Sequence, residues 1–165
     1  MKATLLGWGL LLLLPVGLKL SLPALATAAV QLKQTVLGQS PQPLWGVESI
    51  EQEQLTFRTP TGSTQHLSLA GIATINNHWQ REATGVMAAV LAASHAQVSV
   101  SPQSSTTALV RLPNGTLLQR ILLTDGVAKL DPSQLATLPA DIVADLKQAQ
   151  TSAQQQQKNI WGETP

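Results

Sequence analysis

The chain has no cysteine, no tyrosine and one phenylalanine, and only 12% of its residues are Asp, Glu, Lys or Arg, about half the usual share. Without cysteine there is no disulfide, and no thiol to carry an acyl or prenyl anchor. A domain of this size must then be held by its apolar core alone. Rings are equally scarce. Beyond Trp8 they are Trp45, Phe57, Trp79 and Trp161, a poor supply for the stacking platforms on which single-stranded nucleic acids are held. Basic clusters are missing too. Lys33, Arg58, Arg81, Arg111, Arg120, Lys129, Lys147 and Lys158 are scattered, no two adjacent. Proteins that grip phosphate backbones are basic on at least one face, so nucleic acid is not the favoured partner. Signatures of chemistry are absent as well. His66, His78 and His95 show no metal spacing such as H-x-x-x-H. There is no G-x-S-x-G elbow and no phosphate-cradling glycine loop.

What the sequence does have begins at its N-terminus. Lys2 precedes an apolar run, Ala3 to Leu18, and two small-x-small sites follow at Ala24-Leu25-Ala26 and Ala26-Thr27-Ala28. Charge, apolar run and small residues in that order read as an export signal over residues 1–28. An uncleaved N-terminal membrane anchor is the alternative, with Lys19 at its end. Removal of 1–28 takes away Lys2 and Lys19. Eight basic residues then face nine acidic ones, so the mature chain is near neutral. The expected location is outside the cytoplasm: periplasm, lumen or cell surface. Residues 29–43, with Gly38-Gln-Ser-Pro-Gln-Pro, read as a linker. Residues 44–162 are left as one domain.

Periodicity supplies the domain's elements. Leu55, Phe57, Leu67 and Leu69 alternate with polar neighbours across Pro60-Thr-Gly62-Ser63, predicting two or three antiparallel strands over 47–59 and 64–72. Asn77 with Gln80 reads as a capping box opening a helix to Ala96, with an apolar stripe through Trp79, Ala83, Val86, Met87, Val90 and Leu91. Val98 and Val100 alternate as a strand, and a second strand over Ala108–Leu112 leads to the Pro113-Asn114-Gly115 turn. A short helix from Leu117 to Asp125 stops at Gly126. Ile142, Leu146, Ala149 and Ala153 mark a C-terminal helix with Pro139 in its first turn, extended by the glutamine run 154–157. Ile160 and Trp161 are expected to dock on the body. Five short strands with an intervening helix predict a mainly β, α+β fold: a five-stranded OB-type barrel with about three helices.

Four stretches add a likeness. His66-Leu-Ser-Leu-Ala-Gly71-Ile72, Trp79-Gln-Arg-Glu-Ala83, Asn114-Gly115 through Gln119 to Gly126-Val-Ala128, and Asn159-Ile160-Trp161 stand in order over residues 47–161. Together they resemble the staphylococcal nuclease (thermonuclease) family, whose fold is a five-stranded OB-type barrel with three helices. The resemblance implies calcium-dependent phosphodiester cleavage. That chemistry needs hard oxygen ligands, cations for the developing charge and a base to orient water. Carried over one position at a time, the needed groups are missing. The family's Asp-Gly-Asp-Thr calcium turn falls on Glu51-Gln52-Glu53-Gln54. Its first phosphate-binding Arg falls on Ser68, its next calcium Asp on Ala73 and its base Glu on Asn76, preceded by Ile75 in place of Pro. Its second Arg falls on Thr106 or a close neighbour. No Lys or Arg occurs between Arg58 and Arg81, or between Arg81 and Arg111, so a small shift of alignment restores no cation.

The expectation is therefore a degenerate site with no catalytic residues and no cofactor, on a binding or scaffold module whose partner is a protein or membrane complex. Two alternatives stay open. One is a divergent calcium-dependent nuclease using Glu51 and Glu53. The other is an oligosaccharide or oligonucleotide binder using the barrel face, which requires a groove with exposed Trp45 or Phe57. Glu48, Glu51 and Glu53 crowd within six residues and read either as a weak cation site or as a solvated strand edge. Trp45, beside the linker, is a core lid or, if exposed, a binding anchor. The loop 101–107 is expected to be solvated.

Overall fold

Alternation on both sides of a Pro-Thr-Gly-Ser turn builds the first sheet. A computed structural model describes residues 43–51 and 53–162; the proposed export segment at 1–28 and, except for Pro43, the proposed linker at 29–43 lie outside them. Strand β1 (Leu44–Glu51) pairs antiparallel with β2 (Gln54–Arg58), and β2 with β3 (Thr64–Leu69). The span predicted as 47–59 thus holds two strands. Thr59 closes the β2–β3 hairpin, its N–H donating to the Ser63 carbonyl at 2.8 Å. Every second residue enters the core: Leu55 and Phe57 are fully buried, Leu67 and Leu69 nearly so. Each such side chain contributes about 1.5–3 kcal/mol.

The first helix, α1 (Asn77–Ala93), buries Ala83, Met87 and Leu91. Its cap is Asn76, one residue before the predicted Asn77. Asn76 has extended backbone (φ −56, ψ 140), and its side-chain oxygen accepts from the His78 N–H at 2.9 Å. Gln80 does not complete a capping box; its side-chain amide reaches the Ile75 carbonyl at 3.4 Å. The helix stops three residues earlier than predicted, because Ser94 caps it and His95 and Ala96 both take positive φ. Strand β4 (Gln97–Pro102) returns along β1 and pairs with β5 (Thr107–Arg111). The predicted solvated loop shrinks to 103–106, since Ser101, Pro102 and Thr107 are in strands.

The order around the barrel is β1-β2-β3-β5-β4, closed, with β3 and β5 the parallel pair. This is the OB-type, staphylococcal nuclease-like barrel, mainly β within an α+β chain. The seam between β3 and β5 spans two residue pairs, Ser68–Thr107 and Leu69–Ala108. Beyond it the edge of β5 is covered by a side chain. Fully buried Gln119 accepts from the Val110 N–H at 3.3 Å and donates to the Ala108 carbonyl at 2.8 Å.

Gln119 is placed there by α2 (Leu118–Thr124), which follows the Asn114-Gly115 turn and buries Leu118, Leu122 and Leu123. Gly126, at φ +68, ends the segment against the Lys158 carbonyl, and its own carbonyl accepts from the Ile160 N–H at 3.1 Å. Ile160 and Trp161 dock in this way through a short 3₁₀ turn, Asn159–Trp161. Helix α3 (Pro132–Leu135) is an addition to the predicted set: one turn capped by Asp131, too short to leave a period. In α4 (Ala140–Gln155) Pro139 is the N-cap residue itself, not the first turn. The glutamine run is helical only to Gln155, with Gln156 as cap and Gln157 at positive φ. Among the described residues no helix is long and apolar enough to cross a membrane.

Candidate functional site

Strand pairing brings most of the family positions to one end of the barrel. Glu51 lies opposite Gln54, and Gln54 opposite Ser68. The Ser68 N–H donates to the Thr106 carbonyl at 2.8 Å. Among the contacts that hold the segment after β3, the Ala73 N–H donates to the Lys129 carbonyl at 2.9 Å, and the Ile75 N–H to the Glu53 carboxylate. The result is a cleft of about 520 Å³ lined by Glu51, Glu53, Gln54, Ser68, Thr74 and Gln80. Among the described residues six polar ones line it, two of them carboxylates, and no Lys or Arg does. Ala73 lies deeper, on a cavity of about 20 Å³ shared with Met87 and Ile75, room for about one water. Gln52 lies outside the described residues.

Asn76 and Thr106 do not face this cleft. Asn76 sits round the corner, on a separate cavity of about 290 Å³ with Trp79, Lys129 and Ile160. Its side chain is occupied as the cap of α1. Thr106 joins through its main chain, while its hydroxyl lies 3.4 Å from that of Ser104. Chemically, the cleft can accept hydrogen bonds and hold positive charge. Among the described residues it contains no cation to neutralise a pentacoordinate phosphate, and Asn76, not a carboxylate, stands where the family's base would be. The Glu53 carboxylate is already bound to a main-chain N–H.

The glutamate crowd seen in the sequence separates. Glu48 pairs with Arg58, whose partner on β1 is Gly46, at the opposite end of the β1–β2 ladder from Glu51 and Gln54, and it does not line the cleft. Among the described residues no three His, Asp or Glu side chains gather around a common point. His66 bonds Thr56 at 3.0 Å, His78 stands edge-on to Trp79 at 5.1 Å, and His95 lies at the far end of α1.

No family model matches this chain, and no curated protein does. Among solved structures it is similar to the extended Tudor domain of Drosophila melanogaster Tudor-SN. The two are 16% identical, with 86% of this chain and 88% of that chain covered and a TM-score of 0.43.

The aromatic residues are placed mostly by the core. Phe57 is fully buried, which removes it from the alternative of a groove with exposed Trp45 or Phe57; its alternation with Leu55 turns it inward. Trp45 is half-buried, its ring edge-on to Phe57 at 6.1 Å, in the position of a lid on the core. Trp161 carries the Lys129 ammonium 5.0 Å from its ring centre. Sequence reasoning missed Thr74 and Gln80 in the cleft. Gln80 had a readable signal, lying one helical turn beyond the true cap, Asn76; Thr74 had none.

Proposed function

We propose that this chain is a non-catalytic binding or scaffold module: a barrel of staphylococcal nuclease descent that is exported and serves a protein or membrane complex. One observation carries the reading. Glu51, Glu53, Gln54 and Ser68, all at family site positions, share a cleft, and that cleft lacks the cations and the base that cleavage requires. A frame kept without its charged machinery can still hold a partner. Fold by itself names no function, so the weight rests on the cleft's chemistry. Export is supported by the order of charge, apolar run and small residues over 1–28.

The test is cleavage of single-stranded DNA by the purified protein, with excess calcium and then with EDTA, beside the Glu51→Ala, Glu53→Ala double variant. The expected result is no cleavage above an empty-vector preparation. Calcium-dependent cleavage lost in the double variant would overturn the reading and assign a metal site to those two carboxylates.

A further inference from the structure

Among the described residues, closure of the barrel leaves part of one strand without a neighbour. Strand β3 meets β5 only at Ser68 and Leu69. Upstream of that seam the chain before β5 has turned away: the N–H groups of Gln103 and Ser104 fold back onto the Thr107 carbonyl at 2.8 and 3.2 Å. Parity along β3 decides which groups are left open. The Ser68 N–H donates to Thr106 at 2.8 Å and the Ala70 N–H to Ala108 at 2.9 Å. Even-numbered residues therefore turn their main chain toward β5, and odd-numbered ones toward β2. The N–H and C=O of Thr64 and His66 point the same way as those of Ser68. Among the described residues no main-chain group meets them there. Thr64, Gln65 and His66 are all exposed. Strand β3 carries no Lys, Pro or acidic residue, the usual guards of an open edge.

The open edge adjoins the cleft. Thr56–His66 and Gln54–Ser68 are successive pairs on one outer face, and Glu51 lies opposite Gln54. Two residues along a strand span about 6.6 Å, within the reach of an extended Lys or Arg side chain. Among the described residues the cleft is lined by Glu51 and Glu53 without a cation, and Arg58, on β2, is already paired with Glu48. We propose that an extended, lysine- or arginine-bearing segment of a partner protein adds as a strand along Thr64–His66 and places a cationic side chain over Glu51, Gln54 and Ser68. This rests on the binding-module reading. Charge complementarity selects a basic segment. The small size of the edge excludes a second copy of the chain, because stable pairs of proteins bury about 1,200 Å² or more. A peptide strand instead draws affinity from main-chain bonds and specificity from side-chain sites.

The test titrates the ¹⁵N-labelled full-length protein with a twelve-residue peptide of alternating Lys and Thr, and with its Glu–Thr counterpart. The Lys–Thr peptide is expected to shift the amides of Thr64, His66, Gln54 and Ser68 and to slow hydrogen exchange at Thr64 and His66. Thr64→Pro and His66→Pro, each removing one edge N–H, should weaken binding about fivefold. Glu51→Lys, at an exposed side chain, should weaken it without touching the edge and reduce its salt dependence. Equal binding of the acidic peptide, shifts confined to other surfaces, or affinity unchanged in both Glu51→Lys and a folded proline variant would each overturn the proposal. Protection of Thr64 and His66 that grows with protein concentration alone would assign the edge to a second copy and overturn it as well. DNA cleavage in the preceding assay would remove the non-catalytic reading whatever the peptide does. Failure of the peptide with DNA left intact would remove only this site.

Discussion

Replacing Gln119 by Leu removes the side chain that covers the β5 edge where β3 departs. The change conserves volume approximately but deletes two hydrogen bonds, to the Val110 N–H and to the Ala108 carbonyl. The two ends are not equivalent. Ala108 keeps a second partner, the Ala70 N–H at 2.9 Å, whereas Val110 is fully buried and loses its acceptor. An orphaned buried donor costs about 1–3 kcal/mol, and relief from burying the amide offsets a part. The expected net loss is about 2 kcal/mol, or a fall in Tm of about 8 °C for a domain of this size. Gln119→Glu tests the geometry rather than the volume. Protonated, the carboxyl can still accept from Val110 and donate to Ala108; ionised, it faces the Ala108 carbonyl with no proton to give. Burial raises its pKa above the ordinary value of about 4.3. A raised folded-state pKa means that the variant is most stable below the unfolded value and loses stability as pH rises through the folded one. Thermal unfolding by circular dichroism at pH 4 and pH 7 should therefore show Gln119→Glu close to wild type at the lower pH and well below it at the higher, while Gln119→Leu stays depressed at both. A Leu variant within about 2 °C of wild type, or a Glu variant whose deficit ignores pH, would refute the role given to Gln119.

Two other changes probe the segment that joins α2 to α3. Gly126→Ala forces a side chain into positive φ and sets its Cβ 2.6 Å from the Lys158 carbonyl. The left-handed backbone alone costs about 1–2 kcal/mol, so denaturant unfolding should show a larger loss than that, together with changed Trp161 fluorescence as the C-terminal turn is displaced; an unchanged midpoint would sink the docking role of Gly126. Asp131 has its pKa lowered by hydrogen bonds from the side chain of Ser133, from Gln134 and from the Ser133 N–H. A lowered folded-state pKa gives stabilisation that is present above the ordinary Asp value of about 3.9 and lost as pH falls through the lower folded one. Gln134 also accepts from the Gly71 N–H at 3.0 Å, so amide exchange at Ser133 and Gly71 should accelerate together in that acid range and not in Asp131→Asn, whereas the same acid profile in both proteins would disprove the link.

Much of the barrel was legible along the chain. Leu55, Phe57, Leu67 and Leu69 announced their strands because alternation is a two-residue property. The stripe through Ala83, Met87 and Leu91 announced α1 because helical contacts reach only three or four residues. Errors fell where two neighbours compete for one job. Asn76 and Asn77 can each cap a helix, and backbone conformation chose Asn76. Pro139 suits both a cap and a first turn. His95 and Ala96 gave no sign of the positive φ that ends α1 early. In the candidate site, Glu48 was drawn to Arg58 on the neighbouring strand while Glu51 and Glu53 line the cleft, and strand pairing of that kind leaves no local pattern. Phe57 was offered both to the core and to an exposed groove; its burial follows from the face that closure turned inward.

The sequence by itself determined the sign of the cleft. With no Lys or Arg between Arg58 and Arg81, or between Arg81 and Arg111, the strand and loop that carry Ser68, Ala73 and Asn76 and the loop that carries Thr106 have no cation of their own to offer. It also determined that a core without disulfides must hold the domain, since cysteine is absent. Only the tertiary structure decided that Glu51, Gln54, Ser68 and Gln80 share a surface, that Gln119 covers the end of a two-pair seam, and that among the described residues none meets the outward main-chain groups of Thr64 and His66. Composition and periodicity act through residues a few positions apart. Strand register and barrel closure couple residues dozens of positions apart, and one residue of slip exchanges every inward side chain for an outward one.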